Sequence, residues 1–178
     1  MKNGWEIFAV VNSLAFTVLL TYNSIWCWLF SLIASATYLI ICFRKKIYAE
    51  SFLQLFYIGT TVYGYFHWGT GVQDHPELLP FTQHLYWLLP GVLVVVLSGY
   101  LLGKFTNAAN FYIDSFTTVF SIAATLLMIN LYPSHWLYFI VIDAVSVYLY
   151  FSRKMYFTAV LFALYTLLSI NGWLQWTT

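Results

Sequence analysis

The chain contains one segment written twice, because residues 1–70 and residues 109–178 align without a gap at an offset of 108. Between 6–68 and 114–176, 16 of the 63 aligned positions are identical. The identical pairs include Trp28 and Trp136, Gly64 and Gly172, and Trp68 and Trp176. A duplication that fills nearly the whole chain predicts two structural repeats of the same unit.

The composition predicts that lipid surrounds the folded chain. Hydrophobic residues make up 62% of the sequence, charged residues only 7%, and the mean hydropathy is +0.78. A soluble domain carries about 25% charged residues, so this chain has too few to cover a surface in water. The net charge of +1 gives no basis for a nucleic-acid partner.

Seven stretches have about the length and apolar character that a membrane-spanning helix needs. They are residues 5–22, 25–43, 47–68, 83–103, 111–131, 135–151 and 155–175. The predicted fold is therefore an all-α integral membrane protein with seven transmembrane helices in a 3+1+3 plan. A single linker helix makes the two three-helix repeats parallel. In a membrane chain, duplicated halves indicate a transporter with its substrate near the midplane between the repeats.

This plan divides the chain into three segments. Residues 1–70 form the first three-helix repeat, residues 71–108 hold an outer loop and the linker helix, and residues 109–178 form the second repeat.

The cationic residues predict the orientation in the membrane. They are Lys2, Arg44, Lys45, Lys46, Lys104, Arg153 and Lys154. With the N-terminus in the cytoplasm, all of them fall on the cytoplasmic side, as the positive-inside rule requires. The longest outer loop, 69–82, has acidic residues but no Lys or Arg. The C-terminus is then expected outside.

Asp143 is the strongest candidate for a functional residue. It lies near the middle of the predicted sixth helix, where a carboxylate costs about 3 kcal/mol on insertion scales. Every Lys and Arg lies at a helix end, so we expect one of three states for this carboxyl group. It is protonated, or hydrated and bonded to Ser146 or a tyrosine, or neutralised by a proton or a cationic substrate. The plainer alternative is a protonated Asp in a packed polar cluster.

Four side chains on the sixth helix share one face with that carboxylate. Trp136, Phe139, Asp143 and Ser146 are spaced by three, four and three residues. Aromatic rings near a carboxylate suit a flat, positively charged ring through stacking and cation–π attraction. An aromatic stripe at this spacing also fits helix packing or an interfacial belt.

The third helix supplies further candidates, Gln54, Tyr57 and Tyr63. A Gln within a span commonly bonds a neighbouring helix, and a role in binding a ligand amide is the sharper interpretation. The histidines lack the paired spacing of a zinc helix, and no P-loop, GxSxG or GxGxxG motif occurs. The sequence therefore predicts no catalytic residues, no cofactor and no metal, and the chain is not expected to be an enzyme.

These residues resemble the PnuC family of bacterial vitamin transporters over essentially the whole chain. In the second repeat the motifs are Asp114-Ser115, which opens the fifth helix, then Trp136-x-x-Phe139-x-x-x-Asp143-x-x-Ser146, Lys154-x-Tyr156, Gly172 and Trp176. In the first repeat they are Tyr48, Leu53-Gln54-x-Phe56-Tyr57, Tyr63-Gly64 and Trp68.

The resemblance implies a SWEET-like 3+1+3 bundle in the bacterial inner membrane that imports nicotinamide riboside by facilitated diffusion. It further implies that a cytoplasmic kinase traps the product, and that the sixth-helix face and the third-helix Gln and Tyr residues line the site. A homo-oligomer is left open.

Two departures from the family pattern keep other readings open. The family often has Trp-x-x-Trp-x-x-x-Asn on the sixth helix, where this chain has Phe139 and Asp143. Thiamine, also cationic, fits an Asp as well as nicotinamide riboside does, whereas neutral riboflavin fits less well. Other function classes are a proton-coupled transporter or cation channel that uses Asp143, and a membrane scaffold that transports nothing.

Overall fold

The computed structural model describes residues 2–44, 48–69, 78–105, 110–152, 154 and 156–177. They form seven helices: α1 (Lys2–Thr21), α2 (Cys27–Arg44), α3 (Tyr48–Gly69), α4 (Phe81–Phe105), α5 (Phe111–Ile129), α6 (Ser134–Ser152) and α7 (Tyr156–Thr177). The prediction of an all-helical chain with seven helices is confirmed. Within the described residues, six of them are long and apolar enough to cross a membrane, and α3 is not among these six. That α3 spans the membrane stays a prediction.

Several sequence-based expectations concern residues outside this description. Lys45, Lys46 and Arg153 lie outside the described residues, as do 70–77 of the outer loop and 106–109. The sorting of cations to one side and the segment borders near 70 and 108 therefore stay predictions.

The chain divides into two compact units, Met1–Asp74 and His75–Thr178. In the first unit α2 packs against both α1 and α3. In the second unit α4 packs on α5, α5 on α6, and α6 on α7. A hydrogen bond of 3.1 Å between His84 Nδ1 and the Tyr138 hydroxyl also ties α4 to α6.

The turn between the first two helices of each repeat has the same hydrogen-bond pattern. Asn23 follows α1 with φ 52°, and its repeat counterpart Leu131 follows α5 with φ 59°. In both turns this residue donates its N–H to the carbonyl three residues earlier, and the next residue donates to the carbonyl five residues before it. This pair of bonds is the Schellman motif, which satisfies the last carbonyls of a helix.

A tryptophan packed on a glycine also recurs in each unit. The residues are Trp28, Gly64 and Trp68 in the first unit, and Trp136, Gly172 and Trp176 in the second. In both units a Cβ on the glycine would overlap the first indole ring, so two helices meet there at close range. The two indole rings are edge to face, with centroids 5.2 Å apart in the first unit and 6.0 Å apart in the second. The sequence repeat is thus visible in local packing, while the parallel 3+1+3 arrangement stays a prediction.

Candidate functional site

Asp143 lies at the middle of α6 and is buried. It is the tenth of the 19 residues of Ser134–Ser152, and its side chain is 7% exposed. In the described part of the second unit, no Lys or Arg side chain pairs with this carboxylate, and its hydrogen-bond partner is Ser169 of α7. The Ser169 hydroxyl donates to Asp143 Oδ2 at 3.5 Å, which is a long hydrogen bond. An acid with so little compensation can hold a cation in place.

In one of the three expected states of this carboxylate its partner is Ser146 or a tyrosine, and the structure shows Ser169 instead. Ser146 is buried on the same helix, but its hydroxyl donates to the Ile142 carbonyl at 2.8 Å. Serine in a helix often bonds the carbonyl four residues earlier, because that acceptor is always within reach. Ser146 therefore lies one turn from Asp143 without bonding it.

The interface between α6 and α7 places Asp143 between two aromatic layers. Residues 136, 143 and 150 of α6 are seven apart, so they share one face of the helix. Trp136 meets Trp176 edge to face, and Tyr150 stacks on Phe162 with centroids 5.1 Å apart. By helical rise, each layer is roughly 10 Å from Asp143 along the axis.

The two aromatic residues predicted to share a face with Asp143 have different neighbours. Trp136 is 1% exposed, and its ring lies against Gly172 of α7. Phe139 is half-buried and packs against a core of Phe120, Ala124 and Ile142. Trp136 and Asp143 therefore face α7, whereas Phe139 contacts α5. The geometry of Trp136 is that of a packing residue in this structure.

Buried nitrogen atoms without a hydrogen-bond partner among the described residues occur near the start of α6, and one recurs at the equivalent position of the first unit. Trp136 Nε1 and its repeat counterpart Trp28 Nε1 have no hydrogen-bond partner among the described residues. His135, which is fully buried, donates from Nδ1 to the Tyr132 carbonyl at 2.7 Å, while its Nε2 has no partner in the described part of the chain. The end of α6 near Trp136 therefore keeps unused hydrogen-bonding capacity.

The first-unit candidates all lie on α3 and differ in burial. Gln54 is buried, Tyr57 is half-buried, and Tyr63 is 58% exposed. Tyr63 stacks on the His67 ring one turn further along, with centroids 5.4 Å apart. Because Gln54, Tyr57 and Tyr63 belong to the first unit, their proposed contact with a substrate stays a prediction.

Ser169 is the residue that sequence reasoning missed. One signal could have pointed to it, since the offset of 108 aligns Ser169 with Thr61 and so keeps a hydroxyl at this position of both repeats. In the first unit that hydroxyl bonds Ser31 of α2, with 2.7 Å between the two oxygens.

Within the described residues, no group of three or more His, Cys, Asp or Glu side chains could hold a metal ion.

Comparison with known proteins identifies relatives that match most of the chain. The Escherichia coli K12 protein named nicotinamide riboside transporter PnuC is 26% identical, over 83% of this chain and 74% of its own length. A Shigella flexneri protein of the same name matches with the same figures. The crystal structure of the vitamin B3 transporter PnuC is 23% identical, with a TM-score of 0.76 over 96% of this chain and 79% of that one.

The fold of this chain is thus that of a solved transporter. Its relatives are transporters, and six of its described helices are long and apolar enough to cross a membrane. The chain is therefore a multi-pass membrane protein. The nicotinamide mononucleotide transporter family matches residues 3–178. The chain belongs to the nicotinamide mononucleotide transporter family.

Proposed function

We propose that this chain carries nicotinamide riboside across the membrane by facilitated diffusion. Membership of a transporter family and the two relatives named as nicotinamide riboside transporters support this substrate. The buried Asp143 of the second unit also supports this substrate, because nicotinamide riboside carries a cationic aromatic ring that a carboxylate attracts.

The buried Asp143 carboxylate is the observation that carries the proposal. A carboxylate in the middle of a spanning helix costs about 3 kcal/mol, and such residues normally serve a substrate or ion pathway. Ser169 supplies a neutral hydroxyl, so an ionised Asp143 has no countercharge among the described residues of the second unit. A pyridinium ring that binds against Asp143 neutralises this charge and gains from it.

We propose the same site residues that the sequence indicated. Asp143, Ser146, Phe139 and Trp136 are the candidates on α6. On α3 the candidates are Gln54, Tyr57 and Tyr63. Because the Trp136 ring packs against Gly172, it is the least accessible to a substrate of the four α6 candidates in the present conformation.

The direction of net uptake is set by chemistry downstream of the carrier. A facilitated carrier moves substrate only down its gradient, so a cytoplasmic kinase that phosphorylates the riboside would sustain import. This mechanism fits the proposed location in the bacterial inner membrane, with the N-terminus in the cytoplasm and the C-terminus outside. It also fits the proposed fold, in which a linker helix joins two parallel three-helix repeats.

Calorimetric titration of the detergent-purified protein with nicotinamide riboside tests the proposal, with thiamine titrated separately. We expect saturable binding of nicotinamide riboside and at least about tenfold weaker binding of thiamine. Counterflow of labelled nicotinamide riboside in proteoliposomes should accompany binding. Binding of neither compound would overturn the proposal and favour a proton or ion pathway through Asp143.

Thiamine is the second candidate substrate, because Asp143 suits its cationic ring as well as it suits the ring of nicotinamide riboside. This chain has Asp143 at a position where its family often has Asn, and thiamine also carries a cationic ring. Tight binding of thiamine alone would make this the function, and Asp143 would then pair with a thiazolium ring.

A further inference from the structure

The Ser169 hydroxyl makes a contact unlike that of its neighbour on α7. Thr166 lies one turn earlier, and its hydroxyl donates to the Phe162 carbonyl of its own helix at 2.9 Å. Ser169 is 2% exposed and instead donates across the helix interface to Asp143 Oδ2. The Ser169 hydroxyl is therefore directed at a side chain of the neighbouring helix rather than at the backbone of α7.

The first unit uses the same position for a different partner. Thr61, the counterpart of Ser169, shares a hydrogen bond with Ser31 on the preceding helix, with 2.7 Å between the oxygens. In the first unit the polar contact at this position is therefore made by two neutral hydroxyls. In the second unit the position of Ser31 holds Phe139, and the polar partner is a carboxylate one turn further along. Helix packing alone does not require that carboxylate.

Because Ser169 contributes a neutral hydroxyl, the Asp143 carboxylate can still pair with a cation. A hydroxyl donates one hydrogen bond and carries no charge, whereas Lys or Arg would cancel the negative charge. The contact engages Oδ2 and leaves Oδ1 without a hydrogen bond from the described part of the second unit. Asp143 is thus held at one oxygen and open at the other.

We infer that Ser169 is a positioning residue that holds Asp143 in the orientation from which it binds the cationic ring of the substrate. The inference rests on the proposed function, and Ser169 acts through Asp143 rather than by touching the substrate. At 3.5 Å the contact is a long hydrogen bond, and we expect it to shorten when the ligand binds.

Titration of nicotinamide riboside into five purified variants and the parent tests this inference. We expect Ser169→Ala to weaken binding about three- to tenfold, the loss of one hydrogen bond. Ser169→Thr keeps a hydroxyl at this position, as Thr61 does in the first unit, and should restore the parent affinity. Thr166→Ala is the matched control on α7 and should bind like the parent. When Ser169→Ala is added to the Asp143→Asn variant, it should weaken binding by a much smaller factor than it does in the parent protein.

The outcomes separate this inference from the proposed function. Absence of binding by the parent protein would overturn the proposed function and the inference together. Parent-like binding by Ser169→Ala would overturn the inference alone. An equal loss from Ser169→Ala with and without Asp143→Asn would also overturn it, because Ser169 would then act independently of the carboxylate. Unfolding temperatures of each variant in detergent identify any loss that comes from misfolding.

Discussion

Gly172 approaches Trp136 so closely that a Cβ on the glycine would overlap the indole ring, and Gly64 meets Trp28 in the same way. Each Trp ring is almost completely buried, at 1% and 2% exposed for Trp136 and Trp28. A bulky ring and a residue without a side chain therefore set the helix separation in both units. Because the ring is enclosed, it cannot move away from an added methyl group.

Gly172→Ala should destabilise the protein through this overlap. Overpacking a filled interior typically costs about 1–3 kcal/mol, so we expect a clearly lower unfolding temperature in detergent. Gly59→Ala is the matched control, since no heavy atom lies within 4 Å of the added Cβ. An alanine within a helix is favoured over glycine by about 1 kcal/mol, so the control should be neutral or more stable. Equal shifts in the two variants would contradict the proposed contact.

Asp143→Asn should weaken binding of nicotinamide riboside and leave stability unchanged or higher. The loss of a charge-assisted contact is worth about 1–3 kcal/mol, which corresponds to about a 5- to 150-fold rise in the Kd measured by calorimetry. Stability should not fall, because an amide costs less than a carboxylate inside the membrane. Asp114→Asn near the start of α5 is the control and should bind normally.

Higher stability of Asp143→Asn without any change in ligand binding would support the scaffold alternative. Reduced binding together with reduced stability would indicate a folding defect instead. Lower affinity at unchanged or higher stability agrees with a carboxylate kept for its ligand.

The helices could be predicted from the sequence because lipid imposes long apolar stretches. The predicted segment 111–131 corresponds to Phe111–Ile129, and the segment 135–151 corresponds to Ser134–Ser152. The repeat likewise predicted equivalent positions, and the structure gives Asn23 and Leu131 the same left-handed backbone.

The partner of Asp143 could not be predicted in the same way. Helical periodicity identifies residues on one face of α6, and it favoured Ser146, which is on the same helix. The contact with Ser169 depends on how far α7 is shifted along α6. That register is set by side-chain packing such as Trp136 on Gly172, which a hydropathy pattern does not contain.

Nicotinamide mononucleotide should bind at least about tenfold more weakly than nicotinamide riboside, although the family is named for the phosphorylated compound. The phosphate adds negative charge that must leave water, and such a charge needs a cationic partner. The described cations of the second unit, Lys104 and Lys154, lie at or beyond helix ends. Competition titration measures the ratio, and equal affinity would point to a cation near the site.

Transport in proteoliposomes should proceed without a proton gradient. A facilitated carrier exchanges labelled for unlabelled nicotinamide riboside at equal internal and external pH, and the rate should be the same with an added proton ionophore. A proton-coupled transporter that uses Asp143 would instead accumulate substrate when the outside is acidified.

Asp143→Asn separates the two mechanisms further, because loss of a coupling carboxylate abolishes gradient-driven accumulation while counterflow continues. A carrier that uses Asp143 only to bind the cation should show slower counterflow at low substrate concentration and recovery at saturation.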